Sequence, residues 1–204
     1  MRFLLVDNFD SFTYNIVHYL EQCNVTVDVF TNLAVNCSSL QNYDAVVLSP
    51  GPGLPPQAGK LMEVVRTAFE KRIPILGVCL GMQALAIHAG DTLYNQEVVK
   101  HGLSEEIRRV EKESLLYDGI PEIFEVGLYH SWAVKLHPGS PYLPTAISQS
   151  EVLMSMEIPE RKIYAVQFHP ESILTPMGLK MIRSFVEIVK GELTCLLDES
   201  LSGS

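Results

Sequence analysis

The first part of the chain alternates between short unbroken apolar runs and longer stretches whose apolar positions recur every three or four residues. Residues 2–6 read as a buried parallel strand. Residues 11–22 place Phe12, Ile16, Tyr19 and Leu20 on one helical stripe, with Ser11 as a candidate cap. Residues 25–30 alternate as a second strand. Residues 45–48 form a third, stopped by Ser49-Pro50-Gly51-Pro52-Gly53. Residues 58–70 put Leu61, Val64, Val65 and Ala68 on a helix face, and residues 73–78 make a fourth strand. A helical pattern resumes at once with Leu80, Ala84, Leu85, Ile87 and His88. This order predicts an α/β fold, a mostly parallel doubly wound sheet flanked by helices.

The pattern then changes. From about residue 92 to residue 168 the segments are shorter and richer in β-branched and aromatic residues. They predict a small antiparallel β extension over 92–110, with a turn at Lys100-His101-Gly102. Further strands follow at 124–128, 132–136, 145–148, 152–157 and 163–168, with Glu160-Arg161-Lys162 as a hairpin tip. Residues 177–189 form a closing helix with Leu179, Ile182, Phe185, Val186 and Val189 inward. No repeat or low-complexity linker interrupts the chain. The expectation is one domain over 1–190 and a frayed tail over 191–204.

Composition narrows the function. Hydrophobic residues make up 47% of the 204, enough for a sizeable core. The formal net charge is −9 and no basic stripe occurs, which argues against nucleic acid or an anionic membrane as partner. The start lacks the apolar region of a signal peptide, and no run reaches the ~18 apolar residues of a spanning helix. Cys23, Cys37, Cys79 and Cys195 are widely spaced and form no metal-ligand pattern, so a cytoplasmic protein with free thiols and no metal is expected.

Cys79 stands apart from the other three. It follows a strand, precedes a helix and has Gly77 and Gly81 two residues away on either side. Such a turn lifts the side chain clear of the sheet near the positive end of a helix, where the reactive thiolate is favoured. A nucleophile needs a base, and the base needs an orienting partner. Gln167-Phe168-His169-Pro170-Glu171 follows another strand. In extended geometry His169 and Glu171 face the same side. Alone, a His-Pro-Glu is better read as a polar loop with a capping acid; beside the Cys79 turn it reads as a base and its partner. The Ser49–Gly53 loop is either an ordinary tight turn or a source of an oxyanion-binding N–H. Pro52 has no N–H, so the donors are expected from Gly53 and from Leu80 after the nucleophile. His88 reads as a packing residue.

These three motifs, Gly77-Val78-Cys79-Leu80-Gly81-Met82-Gln83, Gln167–Glu171 and Ser49–Gly53, together resemble the class I glutamine amidotransferases over about residues 1–190. The resemblance implies a glutaminase with Cys79, His169 and Glu171 as its triad. It implies L-glutamine bound by Gly51, Pro52, Gly53, Gln83 and the backbone around Ser131 and Trp132, with no cofactor in this chain. The run Asp7-Asn8-Phe9-Asp10-Ser11-Phe12-Thr13-Tyr14-Asn15 is similar to the glutaminase component of anthranilate and aminodeoxychorismate synthases. That similarity implies ammonia delivery to a chorismate-using synthase subunit, for either para-aminobenzoate or anthranilate. Departures from the family pattern occur at Met82, Leu128 and Trp132. The rival readings are a Cys-dependent α/β hydrolase of other substrates and a non-catalytic interaction subunit.

Overall fold

The computed structural model describes residues 1–193, apart from the side chains of 97–101. Cys195 and the tail expected to fray beyond residue 193 lie outside the described residues. The element order is β1 (Arg2–Asp7), α1 (Thr13–Gln22), β2 (Thr26–Thr31), β3 (Ala45–Leu48), α2 (Leu61–Glu70), β4 (Ile75–Val78) and α3 (Leu80–His88). There follow β5 (Thr92–Arg109), β6 (Ile123–Lys135), β7 (Leu143–Ser148), β8 (Leu153–Ile158), β9 (Ile163–Val166) and α4 (Gly178–Lys190).

One nine-stranded sheet runs β2-β1-β3-β4-β9-β8-β7-β5-β6. The first five strands in that order pair in parallel. The remaining pairings are antiparallel. Strands β3, β4 and β9 are buried at every position, as a sheet covered on both faces requires. Alternation along β1 and β3 sorts their side chains between two cores. Phe3, Leu5 and Val47 pack with Ile16, Leu20, Ile182 and Phe185 from α1 and α4. Leu4, Val6, Val46 and Leu48 pack with Leu61, Val65, Leu80 and Leu85 from α2 and α3.

Several local expectations need correction. Ser11 does not cap α1: Phe12 holds the cap position without a side-chain bond. The loop is pinned instead by Asp7 Oδ1, which accepts from Phe9 N, Asp10 N and Thr13 Oγ1 at 2.9, 3.3 and 2.8 Å. Helix α2 begins at Leu61 rather than 58, because Gly59 sits at φ 53 and breaks the turn before it. The turn expected at Lys100-His101-Gly102 is a bulge inside one long β5. Its partner β6 runs unbroken through Tyr129–Ser131, in place of the two strands expected there. Strand β9 ends at Val166, not at residue 168.

Candidate active site

Four connections leave the sheet at the carboxyl ends of adjacent parallel strands: residues 8–12 after β1, 49–53 after β3, Cys79 after β4 and 167–171 after β9. In an open α/β sheet this is where ligands bind. Hydrogen bonds stitch the first two together. Asn8 N donates to Ser49 Oγ and Asn8 Nδ2 to Ser49 O, both at 2.8 Å.

Cys79 occupies the cap position of α3 with φ 51 and ψ −101, a conformation that L side chains rarely adopt. Close packing maintains it. Cys79 N donates to Val166 O at 2.8 Å, tying the turn to β9. Gly81 lies so near β3 that an added Cβ would stand 2.6 Å from Leu48 O. Leu80, the first residue of α3, is among the residues whose N–H has no partner within the helix.

His169 and Glu171 are both 2% exposed, and His169 Nδ1 lies 2.7 Å from Glu171 Oε1. They meet because the chain turns, not because it is extended: Ser172 N donates to His169 O at 3.2 Å, curling Glu171 back under the ring. Burial pulls the His169 pKa down. The nearby Cys79 sulfur and the Glu171 carboxylate outweigh burial and raise it, favouring the imidazolium. Nε2 is buried without an aligned hydrogen-bond partner in this geometry. Rings enclose the imidazole, with Tyr129 at 4.7 Å and Phe12 at 6.0 Å between centroids.

Two cavities meet at Cys79. The smaller, about 190 Å³, is lined by Gly51, Pro52, Gly53, Gln83, Ser131 and Trp132, with Tyr129 and His130 completing the wall. All six residues expected to bind substrate thus share one chamber. The larger, about 390 Å³, is walled by residues 9–12 and also by Tyr129 and His169. Gln83 Nε2 donates to Trp132 O at 3.2 Å, so the Trp132 backbone does border the smaller chamber.

Two neighbours of the site escape sequence reasoning. Asp10 brings a carboxylate within 4.8 Å of ligand atoms on His169 and Glu171. Such a trio has the spacing of a metal site, but Glu171 Oε1 and His169 Nδ1 already satisfy each other. Its position after β1, on the same sheet edge, is the available signal. Gln167 donates through Nε2 to Cys79 Sγ at 3.5 Å. It opens the same short motif that supplies His169 and Glu171. His88 packs on Phe69, with ring centroids 5.0 Å apart.

Comparison with known proteins decides the family. The model of "Glutamine amidotransferase class-I" matches residues 4–189. The chain belongs to that family. It is 38% identical over 191 residues to an anthranilate synthase component II of Haloarcula marismortui, covering 89% of this chain and 95% of that one. It is 34% identical over 192 residues to an aminodeoxychorismate/anthranilate synthase component 2 of Bacillus subtilis, covering 93% of this chain and 97% of the relative. The crystal structure of a protein described as a GMP synthase subunit, from Thermoplasma acidophilum, superposes with a TM-score of 0.85. It is 25% identical and the match covers 94% of this chain and 95% of that one. This glutamine amidotransferase has no helix among its described residues long and apolar enough to cross a membrane.

Proposed function

We propose that this amidotransferase hydrolyses L-glutamine through Cys79, His169 and Glu171 and hands the ammonia to a chorismate-using synthase subunit. The observation that carries the reading is the convergence of a strained, pocket-lining cysteine and a carboxylate-held imidazole on adjacent parallel strands. The Cys79 thiolate attacks the carboxamide carbon of glutamine held in the smaller chamber. N–H groups of Leu80 and Gly53 receive the charge developing on oxygen. The imidazolium of His169 donates its proton to the departing nitrogen, which leaves as ammonia, and a γ-glutamyl thioester remains. His169, now neutral, takes a proton from water, whose oxygen attacks the thioester; glutamate leaves and the thiolate–imidazolium pair is restored. Glu171 holds the ring and balances its charge through both halves. No step calls on a cofactor or metal in this chain.

The names of the relatives support a partner that makes anthranilate or aminodeoxychorismate. A cytoplasmic setting suits the free thiols of Cys23, Cys37 and Cys79. The test pairs this chain with each type of synthase partner, then identifies the aromatic product. With the right partner, Cys79→Ala abolishes synthesis from glutamine and leaves synthesis from added ammonium salt intact. Survival of glutamine-dependent synthesis near the parent rate would sink the assignment.

A further inference from the structure

Gln167 is fully buried, its Nε2 lies 3.5 Å from Cys79 Sγ, and nothing in the proposed reaction uses it. Its other end is occupied as well: Gln167 Oε1 accepts from Gln83 Nε2 at 3.2 Å. Gln83 in turn donates to the Trp132 carbonyl at 3.2 Å. The direction of this chain is set from its far end. A backbone carbonyl only accepts, so Gln83 presents its NH₂ group there. That group faces the Gln167 side chain too, so Gln167 turns its oxygen towards Gln83 and its NH₂ towards sulfur. The main chain fixes Gln167 in place, with its N–H donating to Met154 O at 2.8 Å. The sulfur therefore meets a fixed donor in a buried setting, where a hydrogen bond to a charged acceptor is strong.

We propose that Gln167 stabilises the Cys79 thiolate by hydrogen bonding to it, and that Gln83 orients Gln167 through an amide relay that begins at the Trp132 carbonyl. The relay connects the wall of the smaller chamber to the sulfur, so a ligand that displaces Gln83 also reorients the donor at the nucleophile. The inference rests on Cys79 being the nucleophile, but its test needs no turnover.

The experiment follows alkylation of Cys79 by iodoacetamide against pH in the full chain without glutamine. The Cys79 peptide is quantified by mass spectrometry, because the chain carries three further cysteines, Cys23, Cys37 and Cys195. Gln167→Met keeps the length of the side chain and removes the donor. Its thiolate is expected to form about tenfold less readily or worse, moving the pH midpoint of alkylation upward by about one unit or more, since loss of a hydrogen bond to a charged group has that size. A midpoint within about 0.3 pH units of the parent chain's, which is twofold in ionisation, would overturn the proposal. If a thermal melt shows that variant unfolded, Gln83→Met decides by the same readout, because it removes the group that orients Gln167. An alkylation shift in a parent chain that never turns over glutamine leaves the relay standing and removes the proposed function instead.

Discussion

At the level of single residues, two buried sites carry titratable groups with shifted equilibria. One is the strained Cys79 beside its buried His–Glu pair. The other lies on β8, where Glu157 is 3% exposed and accepts from Ser114 Oγ at 2.5 Å. Burial raises the Glu157 pKa to about 7, the Ser114 bond opposes it, and the charge of Glu111 adds to it. The folded protein therefore keeps a proton that the unfolded chain releases above its ordinary value of 4.5. The associated stability is fully present below that pH and is lost as pH rises through about 7. Glu157→Gln keeps the site neutral throughout. Its melting temperature is expected to vary less between pH 5 and pH 8, and at pH 8 it should exceed the parent by roughly 1–3 kcal/mol of stability. Thermal melts across that range check it. At the active site, Glu171→Gln should lower glutamine turnover by on the order of 10²–10⁴, because the imidazolium loses its counter-charge and its orienting acceptor. Steady-state kinetics with saturating glutamine measures that loss.

At the level of elements, the site is held by close backbone approach more than by side-chain bonds. The start of α4 lies against the His169–Ser172 turn so tightly that a Cβ on Gly178 would stand 1.6 Å from Pro170 O. Gly178→Ala must push the helix and the turn apart. The expected result is a stability loss of about 3 kcal/mol, together with loss of glutamine turnover, because His169 and Glu171 ride on that turn. Denaturant titration and activity assays test the two halves. The same distinction governs what can be read from sequence. Strand β3 is legible to its last residue, since a fully apolar run closed by Pro and Gly has one reading. The cysteine turn is legible because glycine on both sides has a steric reason. The junction of His169 with Glu171 is legible too, but through extended geometry, whereas a turn makes it; residue spacing does not distinguish the two. Strand β6 reads as two pieces because Tyr129-His130-Ser131 carries no apolar alternation, and it is its antiparallel pairing with β5 that carries the strand through this stretch. Gln167 is invisible as a sulfur ligand because its contacts span 84 and 88 residues of chain.

At the level of the whole molecule, the loops at residues 9–12, 49–53 and 167–171 leave the sheet on the same side as Cys79, so a partner seated there meets Cys79, His169 and both chambers together. Phe9 stands on this side, 57% exposed and at φ 63. Asparagine tolerates that backbone far better than phenylalanine does. Phe9→Asn should therefore leave the free chain at least as stable, while weakening its association with the proposed synthase partner by about tenfold or more. Calorimetric titration of the two proteins measures the affinity, and a melt of the free chain measures the rest; unchanged affinity would remove Phe9 from the interface. The placement of Cys79 between two chambers has a practical consequence for inhibitor chemistry. A two-armed electrophile could react with the sulfur from the middle, one arm shaped like an amino acid and the other an aromatic group lodged among residues 9–12. Its selectivity would come from the second arm, since the first occupies the space that any glutamine-consuming enzyme must keep open.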